Sequence, residues 1–313
     1  MKPWFSYHMP NYTHPDARPE QLFDRVVEQA RTAEESGFRQ VTVMDHLYQI
    51  GGVGSVDEPM LEGWSVLNAL ARETKTVRLG TQVSGVTYRN PAMLAKMATS
   101  LDVISGGRAM MGLGAAWNDV EHAGYGYEFP PVKERMDRLD EALTIVKLMF
   151  NEDAPSFTGK HYQVNEVLNV PRPIQAGGPP IMVGGVGELR TLRIAAKHAD
   201  MTHWFALPME DLRRKKDLLA RHCDDIGRDR SEIELVLGAP VVLALTPEEK
   251  RAHLERIPPE RRANVTVGSA EECADALSRY IDEGFTGYTF NNTLYRTPGQ
   301  IAAVGGILTM LDS

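Results

Sequence analysis

The sequence predicts an α/β protein closed into an eight-fold barrel of parallel strands, a (β/α)8 TIM barrel, and three observations carry that expectation. Short apolar runs alternate with amphipathic stretches along the whole chain, the pattern of parallel strands joined by crossover helices. The 313 residues suit one barrel of ~250 residues with insertions as well as they suit two domains of ~150, and residues 1–313 are read as a single domain. Hydrophobic residues make up 42% of the chain and charged residues 24%, which supplies a large core and excludes a disordered chain. A doubly wound open sheet shares this alternation, and periodicity alone does not separate the two.

The elements follow in order. WFSYHM (4–9) reads as the first strand. Residues 19–36 place Leu22, Val26, Ala30 and Ala33 at helical spacing, and Gly37 ends the helix. VTVM (41–44) is the second strand and LEGWSVLNALARET (61–74) the second helix. VRLGTQV (77–83) is the third strand; the helix after it starts at Pro91 and stops before Gly106-Gly107. AMMGLG (109–114) is the fourth strand, and a long helix over 133–150 puts Met136, Leu139, Leu143, Val146 and Phe150 on one face. PPIMVGG (179–185) precedes a helix over 187–197, and MTHWF (201–205) one over 208–226. IELVLGAPVVLAL (233–245) contains the seventh strand, a helix covers 269–282, and GFTGYTFNN (284–292) contains the last strand before a helix beginning near Pro298. Two segments break the rhythm. Residues 151–178 contain FTGKHYQV and VLNVPRPIQ, which suggest a hairpin, and residues 246–267 are charged and proline-bearing. In a barrel such insertions belong at the C-terminal face, over the site.

Acidic residues outnumber basic ones 42 to 34, a formal charge of −8, which favours neither nucleic acid nor an anionic membrane as partner. The two cysteines, Cys223 and Cys273, sit in helical patterns, which argues against a disulfide scaffold or a cysteine-rich zinc site. No apolar run reaches the ~18 residues of a membrane span, and MKPWFSYHMPNY lacks the apolar run of a signal peptide. The expectation is a cytoplasmic protein acting on a small molecule.

In a barrel the C-terminal ends of the strands carry the site. That selects His8 and Asn11, Asp45 and His46, Gln82 to Ser84, Trp117 and Asn118, Gly184 to Glu188, His203 and Trp204, and Asn291 and Asn292. Val183-Gly184-Gly185-Val186-Gly187 joins an apolar strand to ELRTLR, where exposed N–H groups at a helix start suit a phosphate; a tight turn with no ligand is the other reading. Asp45-His46 is the best acid/base candidate, since histidine gives or takes a proton near neutral pH, although a histidine hydrogen-bonded to the rim gives the same pattern. His203 has the same two readings. There is no H-x-H after strand one, no H-E-x-x-H, no P-loop and no G-x-S-x-G elbow, so no metal site, phosphate-cradling nucleotide loop or serine nucleophile is expected.

More specific is a combination: MDHLYQ (44–49), LGTQVSGVTYRNPAMLAK (79–96), TSLDVISGGRAMMGLGAAWNDVEHAGYG (99–126), FPPVKERMDRLDEAL (129–143) and PIMVGGVGELRTLRIAAKHAD (180–200). Together they resemble the bacterial luciferase-like monooxygenase superfamily, with the flavour of its members that use the deazaflavin coenzyme F420, over roughly residues 3–310. The resemblance implies a flavin-like ring at the C-terminal mouth and a non-prolyl cis peptide in strand three, which matches Gln82-Val83 behind the ring. It implies that His46 is a proton acceptor beside the ring and that Asp45 and Asn118 belong to the polar ring-binding positions. Gly184, Gly185, Val186 and Gly187 would face the coenzyme phosphate. Arg190 and Arg193, one helical turn apart after the glycine turn, are candidate contacts for the F420 tail; two solvated helix charges are the other reading. Family members that are sugar-phosphate dehydrogenases carry a glutamate where this chain has Ala115 and a tryptophan where it has Ile50, so that activity is not expected. The leading expectation is an F420-dependent oxidoreductase moving a hydride between deazaflavin C5 and a small organic substrate. The alternatives are an FMN-dependent monooxygenase fed by a flavin reductase, and a barrel that binds a flavin without turnover. The family also implies a homodimer.

Overall fold

A computed structural model describes residues 2–311. Eight strands form the barrel: β1 (Trp4–Met9), β2 (Gln40–Val43), β3 (Arg78–Thr81), β4 (Ala109–Gly114), β5 (Ile181–Gly184), β6 (Met201–Trp204), β7 (Glu234–Gly238) and β8 (Gly287–Asn291). Each is parallel to the next, β8 returns to β1 with Trp4 opposite Gly287, and β3 meets β4 with Leu79 opposite Ala109. An open doubly wound sheet would leave two edges, so this closure excludes it.

Side chains alternate across each strand, and the two faces bury different cores. Phe5, Tyr7, Met9, Val41, Val43, Leu79, Met111, Val183, Leu235 and Phe290 point outward into the helices. Trp4, Met110, Met182, Met201 and Val236 fill the lumen. Below them Glu234 accepts from Trp4 Nε1 at 2.7 Å and pairs with Arg39 at 3.0 Å. The lower half of the barrel is therefore plugged.

Among the described residues ten helices accompany the barrel: α1 (Leu22–Glu35), α2 (Gly63–Glu73), α3 (Pro91–Ser105), α4 (Asp119–Tyr125), α5 (Val132–Asn151), α6 (Thr191–His198), α7 (Met209–Asp224), α8 (Pro247–Arg256), α9 (Ala270–Asp282) and α10 (Pro298–Leu311). Their ends follow local chemistry. Asn90 caps α3 by accepting from Ala92 N–H at 2.9 Å, Pro91 occupies its first turn, and Gly106 closes it at φ +72°.

Four elements differ from the sequence expectation. The helix expected over 187–197 starts at Thr191, because Gly185 takes φ +115° and Leu192 N–H reaches back to the Gly187 carbonyl. The run 233–245 contains two strands, since the chain leaves the barrel after Gly238 and Val241–Leu243 pairs instead with Thr266–Gly268 in a separate small sheet. Pro240, with no N–H to give a ladder, sits at the break. The charged segment 246–267 contains α8 and a 3-10 turn at Pro259–Asn264. Helix α4, seven residues long, is too short to show a period and was not expected. Residues 151–178 do contain a hairpin, Phe157–Thr158 against Gln163–Val164. Glu141 of α5 accepts from its Lys160, His161 and Tyr162 N–H groups at 2.8 to 3.0 Å.

Candidate functional site

Several inward positions at the tops of strands are glycine. On β4 these are Gly112 and Gly114, on β5 Gly184, and on β7 Gly238. Three of them seat one side chain. A Cβ on Gly112, Gly114 or Gly184 would lie 2.8, 2.9 or 3.1 Å from a Val83 methyl, so Val83 rests where those side chains would stand. The Gln82-Val83 peptide is cis, as the family resemblance implies. Gln82 bridges the mouth: its Oε1 accepts from Thr42 Oγ1 and its Nε2 donates to Thr289 Oγ1, each at 3.4 Å. Gly112→Ala would also drive a methyl into the Thr81 carbonyl. We expect it to cost about 1–3 kcal/mol by overpacking, measured by urea unfolding against the parent protein.

His46, just past β2, meets a carboxylate that the sequence pattern did not single out. Its Nδ1 lies 2.7 Å from Glu121 Oε2. Glu121 stands on α4 and its side chain is fully buried. It also accepts from the Leu47 and Tyr48 N–H groups and from Tyr88 Oη, the last two at 3.0 and 2.7 Å. Burial pushes the carboxyl upward, but the His46, Tyr48 and Tyr88 hydrogen bonds outweigh it and hold the Glu121 pKa down to about 2. An ionised Glu121 has no proton to give, so Nδ1 of His46 is the donor and Nε2 is left to accept. The imidazole packs edge-on to Trp117, ring centres 5.5 Å apart. The chain separation of 75 residues hides this pair from any local motif, and α4 gives no periodicity to follow.

The other expected residues are placed as follows. Asp45 is buried and turns both carboxylate oxygens to Arg89, one pairing at 3.0 Å, and Arg89 also bonds Glu62 at 2.8 Å. Asn118 caps α4 by accepting from Val120 N–H at 3.2 Å. Gly184, Gly185, Val186 and Gly187 form the turn between β5 and α6, with the Val186 carbonyl taken by Lys215 at 3.1 Å. Arg190 pairs with Asp137 and with the Lys133 carbonyl, while Arg193 is exposed. His8 and His203 are inward on β1 and β6. His8 Nδ1 lies 3.0 Å from Thr42 Oγ1. Asn11 and Asn292 bond each other at the rim, Asn292 Oδ1 accepting from Asn11 N–H at 3.2 Å. Among the described residues no group of three or more His, Cys, Asp or Glu is placed to hold a metal ion. No helix among them is long and apolar enough to cross a membrane.

Comparison with known proteins identifies the family. The chain is 34% identical over 304 residues to the F420-dependent glucose-6-phosphate dehydrogenase of Amycolatopsis mediterranei (strain U-32), covering 88% of each chain. A solved F420-dependent secondary alcohol dehydrogenase, in complex with an F420-acetone adduct, superposes with a TM-score of 0.80 at 20% identity over 98% of both chains. A riboflavin lyase solved with modified FMN superposes at 0.81 and 18% identity, over 99% of this chain and 92% of the other; these two likenesses speak for the fold. The model of the luciferase-like monooxygenase family matches residues 5–263, and the chain belongs to that family.

Proposed function

We propose that this protein is a coenzyme F420-dependent oxidoreductase that moves a hydride between the deazaflavin and a small organic substrate at the C-terminal mouth of its barrel. The observation that carries the reading is the His46–Glu121 pair at that mouth, in a chain whose 34%-identical relative is an F420-dependent dehydrogenase. Val83, seated against Gly112, Gly114 and Gly184, offers an apolar surface that suits the face of a flat ring. The coenzyme supplies hydride chemistry at C5 and does not activate oxygen as a flavin does. His46 Nε2 takes the substrate's hydroxyl proton when the substrate is oxidised and returns it when a carbonyl is reduced, so the proton and the hydride leave or arrive together. The Gln82-Val83 peptide would back the ring. Asn118 would stand at the polar edge of the ring. The Asp45 carboxylate is held by Arg89, so only its main chain would be free to meet the ring. The Gly184–Gly187 turn would take the phosphate.

The coenzyme tail tests the assignment. FMN and F420 share a tricyclic ring and a ribityl phosphate, so the glycine turn does not separate them; F420 continues into a polyanionic glutamate tail. Arg193 is exposed beside the turn, and Arg190 is partly occupied by Asp137. F420 is expected to bind at least ~10-fold tighter than FMN, ~1.4 kcal/mol, with an advantage that shrinks as salt screens the exposed arginines. Absorbance titrations with both coenzymes at two ionic strengths measure this. Equal or tighter FMN binding, with oxygen uptake in the presence of a flavin reductase, would replace the reading by an FMN-dependent monooxygenase. The family resemblance adds a homodimer to the proposal. Met93, Val103 and Ile104 on α3 and Val170 and Ile174 beside it are exposed apolar side chains that suit such a contact, and sedimentation measures it.

A further inference from the structure

Of the four tryptophans in the chain, Trp4, Trp64 and Trp204 are buried, whereas Trp117 is 61% exposed. A single exposed apolar side chain is ordinary, but this one lies edge-on to the His46 imidazole, ring centres 5.5 Å apart. Its main chain is fixed on both sides. Before it, the Arg135 guanidinium donates to the Ala115 carbonyl at 3.1 Å and to the Ala116 carbonyl. Arg135 is itself buried, gives its Nε–H to the Pro130 carbonyl at 2.9 Å and stands 4.1 Å over the Phe129 ring. After it, Asn118 caps α4, and the Asn118 carbonyl lies 2.6 Å from His122 Nδ1. Ala116 takes φ +60°, in the left-handed region that a residue with a Cβ keeps only where its surroundings over-determine it; such residues collect at functional sites. Gly85 makes room for it, since a Cβ there would lie 3.1 Å from the Ala116 methyl.

The neighbours of this pair define what suits the indole. The charged side chains next to His46 are engaged within the protein: Glu121 by His46, two main-chain N–H groups and Tyr88 Oη, and Asp45 by Arg89. Ala115, Ala116 and Trp117 add none. A hydroxyl that gives its proton to His46 Nε2 must sit at the imidazole, and the carbon skeleton attached to that hydroxyl then has the indole beside it. An apolar skeleton laid on the indole removes both surfaces from water. A charged skeleton would give up hydration to the indole face and gain no hydrogen bond from it. Because the main chain on either side of Trp117 is already fixed, covering the ring orders little else.

Resting on the oxidoreductase reading above, we propose that Trp117 sets the substrate class: the substrate is an alcohol or ketone with an uncharged, apolar carbon skeleton, its oxygen at His46 Nε2 and its skeleton against the Trp117 indole. Trp117 then determines specificity at the same place where His46 handles the proton.

The test uses the full chain labelled with 5-fluorotryptophan and followed by 19F NMR, with and without F420, so that binding is read without turnover. The Trp117 signal is assigned through Trp117→Phe and Trp117→Ala, and the signals of the buried Trp4, Trp64 and Trp204 report that each variant is folded. Three probes share a secondary hydroxyl: cyclohexanol, propan-2-ol and trans-4-aminocyclohexanol. Cyclohexanol is expected to move the Trp117 signal and to bind at least ~10-fold tighter than either of the others. Trp117→Ala is expected to cut the preference for cyclohexanol over propan-2-ol at least ~5-fold, and Trp117→Phe to cut it less, because a smaller aromatic face remains. A Trp117 signal that cyclohexanol leaves in place, equal or tighter binding of propan-2-ol or of the aminocyclohexanol, or a preference that survives in Trp117→Ala would overturn the proposal. So would a Trp117 signal that moves with protein concentration alone, since a second copy would then cover the indole. The F420 titration on the same sample is read separately. Its failure rejects the oxidoreductase reading, whereas the coenzyme-free titration still decides whether Trp117 takes the apolar alcohol.

Discussion

His46→Ala is expected to lower turnover by ~10²–10⁴, the usual worth of a positioned acid/base group, while F420 affinity stays within a few-fold. The imidazole is oriented from behind. Its Nδ1 is tied to Glu121 at 2.7 Å and its ring is steadied by Trp117, so one tautomer and one direction for Nε2 are selected before substrate arrives. Alanine removes the acceptor and leaves the floor at Gln82-Val83 and the turn at Gly184–Gly187 in place, which is why binding and turnover should separate. Pre-steady-state hydride transfer to or from F420, together with coenzyme titration of the variant, measures both. Unchanged turnover would leave His46 as a rim histidine that only anchors α4 through Glu121.

The barrel was legible in the sequence because its strands and helices are long, regular and alternate with different periods. The strand 109–114 and the helix from Pro91 lie where their residues place them, since AMMGLG is a continuous apolar run and Asn90-Pro91 and Gly106 mark the helix ends. The misreadings cluster where local chemistry is weak. Nothing in ELRTLR says that Gly185 and Gly187 will hold the chain out of helix until Thr191. IELVLGAPVVLAL contains the expected strand, but nothing in it says that Pro240 sends its second half to a different sheet. The site divides the same way. His46 was legible as a histidine at a strand end, and the cis Gln82-Val83 bond through family resemblance. Glu121 was not, because a carboxylate on a seven-residue helix becomes a partner of His46 only when α4 folds over the end of β2.

Glu121 carries the other large expected effect, on stability as well as rate. Four donors converge on its two oxygens: His46 Nδ1, the Leu47 and Tyr48 N–H groups, and Tyr88 Oη. Glu121→Leu would strand all four in a buried place, and a loss of about 3–5 kcal/mol is expected, as for breaking a buried charged network from one side. Glu121→Gln keeps the shape and one carbonyl oxygen for the Leu47 and Tyr48 N–H groups, but points an amide NH₂ toward His46 or Tyr88, which also donate. It should cost less stability and still lower turnover by ~10–10², because His46 loses the anion that fixes its tautomer and stabilises its protonated form. The pH dependence separates charge from shape. The folded carboxyl titrates at about 2 against an ordinary 4.5. Its stabilising effect is therefore complete above pH 4.5 and lost as pH falls from there toward 2, about 3 kcal/mol in all. Urea unfolding of the parent and of Glu121→Gln at pH 7, 4.5 and 3 should show a gap that narrows toward acid, since the glutamine variant has no carboxyl there to protonate. A gap that stays constant with pH would mean that Glu121 acts by shape alone and that the tautomer of His46 is set elsewhere.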